Sequence, residues 1–73
     1  MLSELEVRIA WLVAGVQQDQ TYIGFFSTVE QIAVALVLDR TDLFPNGYTI
    51  QEAIECLGPD WTNAALRVQR NRK

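Results

Sequence analysis

Ser27-Thr-Val-Glu-Gln-Ile-Ala-Val-Ala-Leu-Val-Leu-Asp39 is the stretch whose reading decides the fold. Its second half, Ile32 to Leu38, has the apolar, β-branched composition of a buried strand. Its first half argues otherwise. Ser27 stands three residues before Glu30, the spacing at which a hydroxyl accepts from a backbone N–H one turn in while the carboxylate reaches back to the cap. That device opens helices, so the spacing predicts a helix over about 28–39. Val29, Ile32 and Leu36 then share one face, and Val34, Val37 and Leu38 share another.

The same signature occurs twice more, outward in both directions. Ser3 precedes Glu6 by three residues, and Thr49 precedes Glu52 by three. Each opens an apolar-periodic run, which predicts helices over about 4–19 and 50–57. In the first, Leu5, Ile9, Leu12 and Val16 make an inward stripe, with Val7, Trp11 and Ala14 nearly opposite. In the third, Ile50, Ala53, Ile54 and Leu57 are expected to face inward. Gly58 is placed to supply a left-handed helix end, and Pro59 cannot continue that helix but suits the start of another. A fourth helix over about 60–71 turns Trp61, Ala64, Ala65 and Val68 inward. The expected fold is therefore all-α, one domain over 1–73 built as a bundle of four short helices. The aromatics of the connections, Tyr22, Phe25, Phe26, Phe44 and Tyr48, are expected to fold back over the core.

Two of these helices carry more apolar surface than one stripe, and a chain of 73 residues can hardly surround both. The surplus predicts a second chain. Val7, Trp11, Ala14, Val34, Val37 and Leu66 are the expected interface residues, with Trp11 as anchor and the small Ala10, Ala14 and Gly15 allowing close approach. A homodimer is the expected form, since a self-complementary patch most often closes on itself. The competing expectation is that Val7, Trp11, Val34 and Val37 are the core of a monomer.

Charge divides the chain. Residues 1–66 hold nine acids against Arg8 and Arg40, a balance of −7, while residues 67–73 hold four bases and no acid, +4. The acidic body disfavours nucleic acid and only the tail attracts it. The pair 50–57 and 60–71 resembles a helix-turn-helix in part. Ala53, Leu57 and Ala64 fit that pattern, but Ile54 is bulky where a small residue belongs and Arg67 stands where an apolar one does. This gives the alternative reading, a nucleic-acid-binding regulator using Asn63, Arg67, Arg70, Arg72 and Lys73. Against it, the front of the last helix carries Asp60, and cations at a helix end are favoured by the helix dipole without any ligand.

Parts for catalysis are few. There is no histidine, so neutral-pH proton transfer would fall to carboxylates or tyrosines, and one cysteine allows neither an internal disulfide nor a zinc site. Asp42 to Gly47 was the one stretch close to a calcium loop, and it fails, with Phe44 at its third position and Ala53 at its twelfth. Cys56 has no base to activate it and is expected as a small buried hydrophobe. The four glycines are too scattered for a phosphate loop. No cofactor and no metal are expected. The opening MLSELEV is acidic where a signal peptide is basic, and IAWLVAGV spans eight residues against the ~20 that cross a bilayer. The sequence thus predicts a cytoplasmic, non-enzymatic protein–protein interaction or adaptor module with no membrane role and a protein partner it does not identify.

Overall fold

Capping boxes set every long helix start. In the computed structural model, which describes residues 3–45 and 47–72, α1 covers Glu4–Gln18, α2 Thr28–Leu38 and α3 Ile50–Asn71. Ser3, Ser27 and Thr49 each accept from the N–H three residues on, and Glu6, Glu30 and Glu52 return the bond to the cap backbone. Two orphan amides are satisfied at each start, so the three-residue spacing alone fixes where the helices begin. Short 3-10 segments, Gln20–Phe25 and Thr41–Leu43, lie between them, and no strand occurs among the described residues. The protein is all-α, and Ile32 to Leu38 is helix.

The third and fourth expected helices are the two arms of α3. Gly58 separates them with φ 82° and ψ 166°. The positive φ agrees with expectation, but the ψ is extended, so the residue is not a left-handed cap. It is a one-residue corner in a region that glycine alone occupies readily. Pro59 follows as the first residue of the second arm, where its missing N–H costs nothing.

α2 is the central element. Ile32, Ala33, Val34, Ala35 and Val37 are all buried, and α2 packs against both α1 and α3. Val34 is 0% and Val37 4% exposed, which corrects their expected place in an interface. Their two faces are both covered because α3 turns at Gly58 and brings Ala53 and Leu57 from one arm and Ala64, Ala65 and Val68 from the other into the same core. Small side chains on α3 let the backbones approach, so most of a single short helix can be enclosed, with Val29, Leu36 and Leu38 left partly buried.

The ends of α2 show the same thoroughness. Asp39 adopts φ 55°, ψ 43°; its N–H donates to Leu36 and the Arg40 N–H donates to Ala35, which closes the helix as a Schellman motif. Gln69 on α3 adds a 3.0 Å bond to the Leu36 carbonyl. Gln31 at the other end donates to the Leu43 carbonyl at 2.8 Å and ties down the second 3-10 segment.

Several inward assignments shift. On α1 the buried row is Glu6, Ile9, Val13 and Val16; Leu5 and Leu12 are only partly buried on its flank. On the first arm of α3, Ala53 and Leu57 are buried while Ile50 and Ile54 are exposed, because this eight-residue arm meets neighbours along one row only. Phe26 and Phe44 pack on the core as expected. Tyr22, Phe25 and Tyr48 do not, and Cys56 is exposed rather than buried.

Candidate interaction surface on α1

The choice of inward face on α1 is made by a carboxylate. Glu6 is 5% exposed, yet its charge is fully engaged: the Ser3 N–H donates to Oε2 at 2.7 Å and the Arg67 Nε–H donates to Oε1. Those bonds, the Ser3 amide first and the guanidinium second, hold the Glu6 carboxyl below the usual glutamate range. One side chain therefore caps α1 and ties it to α3. A buried charge without such partners would be strongly unfavourable, so the pair pins the rotation of α1 about its axis.

With that rotation fixed, the opposite side of α1 must face outward. Val7, Trp11 and Ala14 are exposed, Trp11 at 78% of its surface. Gly15 borders them and lies beneath Tyr22; a Cβ built on Gly15 would stand 3.6 Å from the Tyr22 ring. The first 3-10 segment thus forms a shelf over the C-terminal half of α1. Asp19 starts that shelf by accepting from the Thr21 N–H at 3.0 Å and the Thr21 hydroxyl at 2.7 Å, which lower its pKa. Phe25 stands on the shelf at 85% exposure.

Trp11 divides this face into two open hollows. One, of about 530 Å³, is lined by Glu4, Leu5, Val7, Arg8, Trp11 and Leu12. The other, of about 350 Å³, is lined by Trp11, Leu12, Gly15, Tyr22, Phe25 and Phe26. Phe25 and Tyr22, expected as a lid, are the part of this surface that the periodicity of α1 could not reveal. Together with Val7 and Trp11 they expose about 500 Å² of mostly apolar area, taking about 150–250 Å² for each full aromatic side chain. That lies at the upper end of patches found on monomers, where such patches are often functional. Leu66, the remaining expected interface residue, is exposed on the second arm of α3 and does not line either hollow.

The basic tail has structural work. The last turns of α1 and α2 hold no basic residue of their own. Arg72 reaches Gln17 at 3.2 Å, Gln69 reaches Leu36, and a cleft of about 410 Å³ joins Val16 and Gln17 to Leu38 and Arg40. The C-terminal poles of all three helices are thus gathered at one end, and Arg40, Arg70 and Arg72 supply the positive charge that those poles favour. Arg40 also binds Asp42 at 2.7 Å, which accounts for the acid at this helix exit. Arg67 is committed to Glu6, Asn63 and Arg70 are exposed on the second arm, and Lys73 lies outside the described residues. The corner between the arms is one residue, where a helix-turn-helix uses three or four.

Among the described residues no three metal-ligating side chains gather, and no helix is long and apolar enough to cross a membrane. No family model, curated protein or solved structure matches this chain.

Proposed function

We propose that this protein works by binding another protein chain through the outward face of α1 and the first 3-10 segment, without catalysis. The observation that carries the reading is Trp11, a large aromatic presented to solvent between two apolar hollows on a helix whose rotation is fixed from behind. Aromatic side chains on rigid elements are the usual anchors of protein interfaces, because little conformational freedom is lost when they are covered. Self-association, expected from the sequence, is one way to cover this face; an adaptor role toward a different protein is the other. A cytoplasmic location suits the exposed, unpaired thiol of Cys56, which stays reduced in that compartment.

The test uses the tagged chain and its Trp11→Asp variant, each co-expressed with an untagged copy in the native cell. Proteins retained by the tagged chain and lost with the variant support the reading. Equal recovery with both overturns it. The untagged copy is scored separately, so self-association is not mistaken for capture of another protein.

A further inference from the structure

The apolar face of α1 is laid out evenly about Trp11. Val7 precedes it by four residues and Gly15 follows it by four, so each lies about 6 Å from Trp11 along the helix axis. Arg8 and Ala14 stand three residues to either side, and Glu4 and Gln18 seven. The larger hollow lies on the N-terminal side; the C-terminal side holds the smaller one, edged by the projecting Phe25. A rotation by half a turn about an axis through Trp11 brings the hollow of one copy onto the projection of the other.

We infer that the occupant of this face is a second copy of the chain, its α1 antiparallel across a two-fold axis at Trp11, with Phe25 of each copy seated in the other's hollow beside Val7. The inference rests on the binding face proposed above and names what covers it. The small Gly15 and Ala14 come opposite the larger Val7 and Arg8, and the two exposed Trp11 rings meet each other at the axis. Charge agrees. The chain carries −3 overall, yet along α1 this face holds one acid, Glu4, and one base, Arg8, whose guanidinium is paired with Glu30 at 3.3 Å, and the rotation sets Glu4 against the neutral Gln18. No like charges are opposed, and the net negative charge of the chain disfavours an anionic lipid surface. Two faces of about 500 Å² bury about 1,000 Å² in all, the lower bound for a specific protein interface.

Sedimentation velocity from micromolar to millimolar protein, at low and at high salt, reads the association. A two-copy species is expected, tighter at high salt because screening weakens the repulsion between two negatively charged copies. Phe25→Ser should weaken it by about a thousandfold, since each substitution removes an aromatic anchor twice, with helix content by circular dichroism unchanged. For the register, Glu4→Cys and Gln18→Cys are each made with Cys56→Ser and treated with a short bis-maleimide. A mixture of the two should cross-link; Gln18→Cys alone should not, because its two copies stand about 21 Å apart along the axis. A chain that stays monomeric at millimolar concentration overturns the second copy and leaves the binding face to the co-expression test. Association indifferent to Phe25→Ser and Trp11→Asp overturns both. Cross-linking of Gln18→Cys to itself overturns the antiparallel arrangement.

Discussion

α1 and α2 begin with the same device and each carries a second apolar stripe, yet one is largely enclosed and the other half bare. α2 is covered over most of its surface because α3 bends around it, whereas α1 is rotated by Glu6 and Arg67 so that Ile9, Val13 and Val16 point in and Trp11 points out. The difference teaches that a second apolar stripe has no fixed meaning. It is core where a neighbour can wrap it and surface where a buried carboxylate, paired with a half-exposed guanidinium, turns it away.

The largest expected effect separates the two helices directly. Ile32 on α2 is 0% exposed, and Ile32→Ala should lower stability by about 2–5 kcal/mol, enough to leave a domain of this size largely unfolded. Trp11→Ala, which removes a larger side chain, should change the stability of the isolated chain by less than about 0.5 kcal/mol. Urea titrations at a concentration where the chain is monomeric check both. Comparable losses would erase the distinction.

Next comes the corner that lets α3 serve both helices. Gly58 holds φ 82°, ψ 166°, and nothing lies within 4 Å of where a Cβ would stand. The cost of Gly58→Ala is therefore all in the backbone, about 1–3 kcal/mol by urea denaturation. A neutral result would mean that the arms can meet through another geometry, and that α2 does not depend on this bend for its cover.

Acid should reverse the order of the two helices. The carboxyls of Glu6 and Glu30 are both held below their ordinary value, chiefly by the Ser3 and Ser27 amides. A depressed folded-state pKa means the stabilisation is present above the unfolded value and disappears as pH falls through the folded one. The urea midpoint should thus begin to fall below about pH 4.5, where a free glutamate takes up its proton. Glu6 loses both a cap and its tie to α3, while Glu30 faces Arg8 at 3.3 Å on a guanidinium that is largely in water. Glu6→Gln should therefore flatten this acid limb and lower the midpoint at pH 7, more than Glu30→Gln does.

These contrasts also show what the sequence could disclose. Helix starts depend on residues three apart, so Ser3 with Glu6, Ser27 with Glu30 and Thr49 with Glu52 were readable, as was the break at Gly58. The inward face of α1 was not. Leu5 and Leu12 make as good a stripe as Val13 does, and the choice is made by Glu6 with Arg67, 61 positions away. Val34 and Val37 were misplaced for the same kind of reason, because α3, distant in the chain, packs against α2 and joins them in one core. Trp11 was legible as an outward-facing aromatic through its place opposite the inward stripe. Phe25 was not, because its exposure depends on how a 3-10 segment lies on Gly15.

The smallest effect concerns how the two helices end. α2 closes on Asp39 in the left-handed region, the one non-glycine residue with positive φ among those described. A side chain there is tolerated but strained, so Asp39→Gly should stabilise the chain by a few tenths to about 1 kcal/mol. α1 ends on Asp19 at φ −153°, an ordinary extended conformation, and its carboxylate is the acceptor that starts the 3-10 shelf. Asp19→Gly relieves no strain and removes the two bonds from Thr21, so it should destabilise. If the shelf loosens with it, the Phe25 projection is no longer held over Gly15 and association should weaken alongside. Thermal melts of both variants, with sedimentation of the second, decide whether the same substitution at two helix ends acts with opposite sign.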